Sequence, residues 1–340
     1  MKSIITTFCV LAIICTNQLS AQSSMHANDQ AKRDSLKQTP YSYSLPFFGD
    51  KIQSMGYEQP LPYGLMINYV HQVTRLEITR LSVGLGPFEP VDMGFVKFDP
   101  VTNTANVFNF RADAWVFPFL NIYGIYAHSE GSANIDITFP VNLNIQTSPT
   151  VDTYGGGIVL AYGRNSYFGA FNLNLSSSNT SALDEPVFGR VTSLRVGKTL
   201  NLKKPEHKIS LSVGVQNQYV ERVSAGELTF NDIFESLDEE KLQQMKDDIS
   251  SAANNWYDDL SLAQKLVVDA LVEGMEDYLD GEGVGNTRIQ YEFEKEVISP
   301  WSLQLGVQLM FNKKFWYRVE YGHGKGRDQL LLSVNYRFGI

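Results

Sequence analysis

The feature that most constrains this chain is the alternation of apolar and polar residues in segments of roughly ten residues. Successive side chains of a β-strand point to opposite faces, so each segment predicts a strand with one apolar and one polar face. The clearest segments are 135–145, 209–215, 303–311, 315–321 and 330–338. With weaker segments, the pattern predicts about ten to twelve strands. After the first 21 residues no apolar run approaches the ~18 residues of a membrane-spanning helix, which favours an all-β fold.

The composition of the two strand faces distinguishes a membrane barrel from a soluble β-domain. Only 19% of the residues are charged. The polar face consists of Ser, Gln, Gly, Asn and Thr, whereas a face in water is rich in Lys and Glu. Aromatic residues on the apolar face near strand ends suit a membrane interface, and they are Phe311, Phe315, Tyr317, Tyr336 and Phe338. We therefore predict an antiparallel up-and-down transmembrane β-barrel, with a soluble exported β-domain as the architectural alternative.

The N-terminal segment 1–21 has the pattern of a signal peptide, because a basic residue precedes an apolar stretch from Ile4 to Cys15. Both cysteines lie in this segment, so the exported chain is predicted to hold neither a disulfide nor a thiolate site. Residues 22–62 contain several prolines and are predicted to form an irregular arm or plug. Residues 63–226 are predicted to form the first part of the barrel.

One acidic segment breaks the strand pattern. Residues 227–286 carry apolar residues at helical spacing, and they hold sixteen Asp and Glu residues against three Lys residues. Ser236 with Glu239 fits a capping box, and Ser261 is placed to cap a second helix. We therefore predict a helical hairpin insert, after which residues 287–340 form the C-terminal strands.

Three roles are open for this insert. It is a solvated unit above an outer loop, a plug or gate of the lumen, or a surface that binds a protein partner or cations. No EF-hand pattern is present, and no metal site is predicted. The gate or partner-binding candidates in the insert are Asp247, Asp248, Asp258 and Asp259.

Link lengths predict which end of the barrel faces the periplasm, because such barrels have short periplasmic turns and long outer loops. Counted back from the C-terminus, the short links 163–166 and 312–313 fall on one side. The long links 177–186 and 223–299 fall on the other side. The turn at 117–119 is predicted on the outer side although it is short, which is the one disagreement with the pattern.

Three stretches resemble Gram-negative outer-membrane β-barrel proteins. Leu330–Phe338 resembles their terminal strand, which commonly ends on an aromatic residue, although two further residues follow here. Ser20-Ala21-Gln22 looks like the end of signals common in Bacteroidota, and Arg111–Gly124 is similar to a stretch in uncharacterised barrel proteins. The resemblance implies a place in the cell outer membrane and contact with its lipid. It carries no catalytic signature.

Charged residues on the predicted inner face are the pore-lining or binding candidates, namely Arg111, Asp113, Asp136, Arg195, Arg318, Glu320 and Arg337. They form salt bridges that rigidify a small barrel, or they line a pore or binding surface. His128-Ser129-Glu130 invites comparison with a hydrolase, but adjacent strand residues face opposite ways, so no catalytic residue is predicted. Gly155–Gly157 lacks the Lys of a phosphate-binding loop, and we predict that it lets the wall bend or a bulky side chain pack close.

The leading functional hypothesis is a passive or gated channel for a small solute, with the insert and the arm as gates. The alternative is a structural or interaction barrel in a surface assembly, which binds a protein partner through the insert. A barrel-embedded lipid-modifying enzyme is the third hypothesis. The net charge of −9 argues against binding to nucleic acid, and no cofactor is predicted.

Overall fold

The computed structural model describes residues 30–340, apart from 86–88, 141, 165, 181–184, 203–205, 232–239, 241, 244–246, 248–255 and 282. The predicted signal peptide, the predicted capping box of Ser236 and Glu239, and Asp248 lie outside the described residues. Within the described ranges, no helix is both long enough and apolar enough to cross a membrane.

The described residues include three α-helices, two short 3₁₀ helices at Tyr257–Asp259 and Val284–Asn286, and fifteen strands. The α-helices are α1 (Gln30–Gln38), α2 (Gly49–Ser54) and α3 (Leu262–Leu279). The strands are β1 (Tyr63–Leu85), β2 (Val91–Asp92), β3 (Lys97–Phe98), β4 (Val101–Phe117), β5 (Leu120–Phe139), β6 (Leu143–Thr147), β7 (Thr150–Arg164), β8 (Tyr167–Thr180), β9 (Val187–Asn201), β10 (Lys208–Val220), β11 (Val223–Thr229), β12 (Arg288–Val297), β13 (Trp301–Met310), β14 (Phe315–Gly324) and β15 (Arg327–Phe338).

Ten of these strands close into an antiparallel barrel in the order β1-β4-β5-β7-β8-β9-β10-β13-β14-β15. The first half of β1 closes the ring, because Tyr63 is opposite Ala114 of β4 on one side and opposite Phe338 of β15 on the other. Closure pairs both edges of every strand in the ring, which is the condition for a sheet inside a bilayer. The predicted fold class is confirmed, and ten strands lie within the predicted range.

The outward face of the ring is a band of aliphatic side chains between two rows of exposed aromatic side chains. One row lies at the end of the barrel where the C-terminus is, and we call it the inner aromatic row. It contains Phe119, Tyr162, Tyr167, Phe311, Phe315, Tyr317 and Tyr336. The outer aromatic row contains Phe108, Tyr126, Tyr154, Phe188, Tyr219, Trp301 and Tyr321. Between the rows on β13, Leu303 and Leu305 are 62% and 61% exposed. Such an exterior fits hydrocarbon flanked by two membrane interfaces, and not water.

The short connection 118–119 lies at the same end as the C-terminus, so the prediction that it faces outward is wrong. The error came from dividing β5 into two strands. In the structure β5 crosses the wall once, from Leu120 to Phe139, and β6 then folds back to pair with residues 133–137. Removing one strand from the count moves the turn to the inner end, where short turns are expected.

A second hairpin extends the wall beyond the outer aromatic row. β12 pairs with the second half of β1, from Leu76 to Leu85, and β11 pairs with the other edge of β12. The predicted boundaries of the insert therefore differ from the structure, because 227–229 belong to β11 and the helical part lies between Thr229 and Arg288. The acidic residues of β12 hid its strand pattern in the sequence.

Candidate functional site

Charged side chains cross the inner half of the lumen, next to the short turns. Arg337 Nη2 lies 3.1 Å from Asp113 Oδ1, and Arg111 Nε lies 3.8 Å from Asp113 Oδ2. Asn121 Nδ2 donates to Asp113 Oδ1 at 2.6 Å, and Arg111 Nη2 donates to Asn121 Oδ1 at 2.8 Å. The guanidinium carbon of Arg111 also lies 3.7 Å from the ring centre of Tyr123. The Asp113 carboxylate thus pairs with the guanidinium groups of Arg111 and Arg337, and the Asn121 amide bonds to both Arg111 and Asp113.

A second group of charges continues this layer. Arg195 Nη2 donates to Glu320 Oε1 at 3.0 Å, and Arg195 Nε donates to Gln304 Oε1 at 3.0 Å. Arg318 pairs with the other carboxylate oxygen of Glu320. All of these side chains are buried. Because an unpaired buried charge is strongly destabilising, the pairing with carboxylates allows the lumen to hold these arginines.

Six of the seven predicted inner-face residues therefore come together, and we call them the inner charge network: Arg111, Asp113, Arg195, Arg318, Glu320 and Arg337. Four arginines face two carboxylates in this set, so the network carries an excess of positive charge. Sequence reasoning missed the uncharged residues that contact this network, Asn121, Tyr123 and Gln304, because it selected charged residues only. Their inward position on the strands was the available signal.

Asp136 does not belong to this network, so its predicted place on the inner face is wrong. Inward positions on β5 follow the odd numbers from Asn121 to Ile135, and Ile135 is buried in the apolar core. Asp136 points the other way, and its Oδ1 accepts a hydrogen bond from Asn144 of β6. The prediction is wrong because it places the even-numbered positions of this strand on the inner face, whereas the structure places the odd-numbered positions there.

Glycines on the inward face provide space for these large side chains. A Cβ at Gly64 would lie 2.6 Å from Asp113 Oδ2 and 2.8 Å from Arg337 Nη1. A Cβ at Gly157 would lie 2.4 Å from the hydroxyl oxygen of Tyr123. Gly157 thus lets a bulky side chain pack close, as predicted for the glycine triplet.

The inner half of the lumen is filled. Arg111, Arg195 and Arg337 are each at most 2% exposed. A cavity of about 10 Å³ lies beside Arg318 and Phe168, which is room for about one water molecule. In the part of the chain that the structure describes, the barrel is closed at this level.

The arm before β1 covers the inner mouth. The Arg337 Nε donates to the carbonyl oxygen of Leu61 at 2.9 Å, which joins the arm to the inner charge network. Lys208 Nζ donates to Glu58 Oε2 at 2.8 Å, and both side chains are about nine-tenths buried. The backbone N–H of Phe47 donates to the carbonyl of Val116 at 2.8 Å. Residues of the arm are therefore bonded to both wall and lumen.

The outer half of the lumen has an apolar wall that packs with the insert. One continuous cluster contains the inward side chains Val70, Val107, Ala127, Val191 and Leu331, together with Phe230, Leu242 and Met275 of the insert and Phe293 of β12. The insert therefore packs apolar side chains into the same cluster as the inward wall residues of the outer half. We call this set the outer apolar cluster.

Further contacts fix the insert to the outer loops. The Trp256 ring stacks on Phe95 with centroids 4.9 Å apart and meets Phe139 edge-on at 5.9 Å. Gln264 Nε2 donates to the carbonyl of Asp92 at 2.7 Å. Ser261 caps α3 in a capping box with Gln264, which confirms the predicted cap.

The three acidic candidates of the insert that the structure describes, Asp247, Asp258 and Asp259, do not form a metal-binding group with one another. Asp247 accepts a hydrogen bond from Gln243, whereas Asp258 and Asp259 lie in a single 3₁₀ turn. The residues with a described placement contain no group of three or more His, Cys, Asp or Glu side chains that could hold a metal ion. The nearby Tyr257 hydroxyl donates to Asp269 at 2.6 Å, and this bond raises the pKa of Tyr257.

The predicted opposition of His128 and Ser129 is confirmed. His128 lies on the outward face, where its Nδ1 is 2.9 Å from Asp152 Oδ1, and the Tyr126 hydroxyl donates to the same oxygen. Ser129 is fully buried on the inward face. The sheet separates the two side chains, so they cannot act as base and nucleophile of one site.

No protein-family profile matches the sequence, and no curated protein matches it. Several solved structures are similar. The β domain of the Bordetella autotransporter BrkA is 8% identical, with 82% of this chain and 100% of that chain covered and a TM-score of 0.37. The outer membrane protein OprG from Pseudomonas aeruginosa is 8% identical, with 83% and 98% covered and a TM-score of 0.35. An outer membrane channel from Pseudomonas putida F1 is 9% identical, with 83% and 97% covered and a TM-score of 0.31.

Proposed function

We propose that this protein is a gated channel for a small solute in the outer membrane of a Gram-negative bacterium. The segment 1–21 exports it as a signal peptide, and its end resembles signals of Bacteroidota. The lipid-facing exterior between the two aromatic rows and the terminal strand Leu330–Phe338 support this location.

One observation carries the channel proposal: segments that are not part of the wall cover both mouths of the lumen, in addition to the wall side chains that fill its inner half. The arm bonds to Arg337 through the Leu61 carbonyl. The insert enters the outer apolar cluster through Phe230, Leu242 and Met275. A purely structural barrel needs no closure by removable segments, because wall side chains alone can fill a small barrel. Movement of these segments would expose the polar and cationic side chains of the inner charge network to a solute.

The test is ion conductance of the purified protein in planar bilayers, with and without the insert. Thr229 and Arg288 are direct partners in the β11–β12 hairpin. Residues 230–287 can therefore be replaced by Asn-Gly, which forms a two-residue hairpin turn. We expect rare openings in the full chain and a higher open probability after excision. Glu58→Gln removes the carboxylate of the arm that pairs with Lys208 of the wall, and it should raise the open probability further.

The matched control for the arm is Asp34→Asn, because Asp34 pairs with Lys37 in an exposed contact on α1. This variant should conduct like the full chain. Heat-modifiable gel mobility confirms that each variant is folded. An absence of conductance in the full chain, the excised chain and the excised Glu58→Gln chain would reject the channel.

An interaction barrel is the second candidate function, and the exposed surface of α3 favours it. Leu262 and Leu266 are 76% and 62% exposed on a helix that sits on the outer mouth. Cross-linking in whole membranes should then join a protein to the full chain and not to the chain in which Asn-Gly replaces 230–287. A double variant of both leucines to Gln, which changes only exposed side chains of α3, should lose the same cross-link.

A further inference from the structure

A cavity of about 270 Å³ lies in the barrel wall at the level of the outer aromatic row. Among the described strands, β10 pairs with β9 and β13 but not with β12, and the cavity occupies the gap. Its lining comes from both faces of the wall: Arg190 and Tyr219 point outward, whereas Gln218 and Val220 are buried on the lumen side. The cavity therefore extends through the wall, from the membrane-facing side toward the lumen.

The cavity is cationic. Arg190, Arg222 and Lys295 line it, against one carboxylate from Glu296. Arg222 Nη1 lies 2.5 Å from Glu296 Oε1, and both side chains are exposed. The lining therefore has two more cations than carboxylates, and Glu221, next to Arg222 in the sequence, is a further carboxylate near Lys295. A hydrophobic gap between strands does not require such a lining.

The deepest of the three cations is Lys295. It is 2% exposed, and its Nζ donates to Ser224 Oγ at 2.8 Å and lies 5.4 Å from the ring centre of Phe293. Arg190 stands at the outer end, with its guanidinium carbon 5.6 Å from the Tyr219 ring centre. The two cations mark the inner and outer ends of the cavity.

We propose that this cavity binds a phosphate group, with Lys295 at its inner end and Arg190 at its membrane-facing end. A tetrahedral phosphate offers enough acceptor oxygens for several cations at once, whereas a carboxylate offers two, and the arginine fork matches phosphate geometry. The volume lies just below the ~300–1,000 Å³ typical of pockets for whole small ligands, so it suits a headgroup. Tyr219 belongs to the outer aromatic row, which marks the depth of lipid headgroups.

The experiment is a calorimetric titration of the full chain in a neutral detergent. The probes are a short-chain phosphatidylglycerol, a short-chain phosphatidylcholine of equal chain length, and octanoate as the carboxylate comparison. We expect one phosphatidylglycerol per chain and weaker binding of the other two probes. Inorganic phosphate is then added as a competitor, to distinguish a free phosphate from a lipid headgroup as the source.

Two variants test the assignment of residues. Arg190→Gln changes an exposed side chain, and Lys295→Met replaces the buried ammonium group with an apolar side chain of similar length. Each should weaken phosphatidylglycerol binding by about tenfold or more, because a charge-assisted hydrogen bond contributes ~1.5–3 kcal/mol. The matched control is Lys198→Gln, since Lys198 also lies over an outward aromatic ring, that of Tyr167 at 5.2 Å, but at the inner row. It should bind like the parent chain.

Competition by inorganic phosphate supports the site with free phosphate as a sufficient ligand. Binding of phosphatidylglycerol without competition supports it with the lipid headgroup as the source. Equal binding of octanoate overturns the proposal, because a carboxylate then serves as well as a phosphate. Equal binding of phosphatidylcholine also overturns it, because the choline cation beside that phosphate should be repelled by the cations of the lining. An equal loss in Lys198→Gln also overturns it, because attraction to any surface cation would then explain the result.

Discussion

The two halves of the lumen are closed by different interactions, which are ion pairs in the inner half and apolar packing in the outer half. In the inner half, side chains of the wall itself meet in the inner charge network, where Asp113 holds Arg111 and Arg337. In the outer half, apolar wall residues such as Val70 and Val107 pack with side chains of the insert. The inner closure is thus built into the barrel, whereas the outer closure depends on a segment that enters from outside.

This difference predicts separate responses to substitution. Removing a charge partner in the inner half leaves a buried arginine uncompensated, and the wall has no other place for it. Loosening the insert exposes apolar surface to water but leaves the strand pairing of the ring intact. The inner half should therefore determine the stability of the barrel, and the outer half should determine access to the lumen.

Asp113→Asn should give the largest loss of stability. Arg337 and Arg111 would lose their shared carboxylate in a buried layer, which costs about 3–5 kcal/mol in the free energy of unfolding. Urea unfolding in detergent micelles, followed by tryptophan fluorescence, measures this change. The control is Asp152→Asn on the outward face, where the exposed contact with His128 contributes at most about 1 kcal/mol. Equal losses for the two variants would show that the inner charge network does not stabilise the barrel.

Phe230→Ala tests the outer half. The Phe230 ring packs on α3 at Gly274, where a Cβ would lie 2.4 Å from it. Truncating a buried phenylalanine costs about 3 kcal/mol, but here the cost should fall on docking of the insert. We expect faster proteolysis of the insert with unchanged urea unfolding of the barrel. A matching loss of barrel stability would mean that the two halves unfold as one unit.

The sequence predicts the strands of the ring well and the strands of the outer extension poorly. Alternation alone predicted the strands of the inner half, because one face of each meets lipid and the other meets packed polar side chains. Beyond the outer aromatic row this contrast is lost: β12 carries Glu292, Glu294 and Glu296 toward water, and its inward face holds Tyr291 and Phe293. The sequence therefore predicts a long outer link over this segment and not a strand.

The candidate site shows a similar division. The alternation along the strands predicts the six residues of the inner charge network, but it misses the buried Lys208, Lys295 and Arg327. It places Asp136 on the wrong face, because one strand is divided in two. Which cation meets which carboxylate could not be predicted, because Arg195 and Glu320 are 125 positions apart in sequence. The wall cavity was also beyond sequence reasoning, since it arises where β10 and β12 fail to pair. Parity identifies a face, but only strand order and register identify neighbours.

The proposed phosphate site should respond to pH. Burial lowers the pKa of Lys295, above the outer aromatic row, to about 7, and nearby Glu221 partly opposes this shift. The other charged groups around the cavity are Arg190, Arg222 and Glu296. Lysine binds an anion best when protonated, so affinity is retained below about pH 7 and declines as pH rises. Titration of phosphatidylglycerol should show roughly tenfold weaker binding at pH 8.5 than at pH 6. A pH-independent affinity in the parent chain, equal to that of Lys295→Met, would show that Lys295 does not hold the phosphate.

Ser261→Ala should give the smallest effect and should be confined to the insert. The Ser261 hydroxyl accepts from the Gln264 backbone N–H at 3.3 Å, and the Gln264 side chain accepts from the Ser261 N–H at 2.9 Å. Loss of such a cap costs about 1 kcal/mol in helix stability. We expect modestly faster hydrogen exchange in the first turn of α3 and no change in the ring. The same Gln264 side chain donates to Asp92 in an outer loop, so exchange near Asp92 should also rise slightly. Faster exchange within β14 or β15 would contradict the separation of the two halves, because those strands contribute to the inner charge network through Arg318, Glu320 and Arg337.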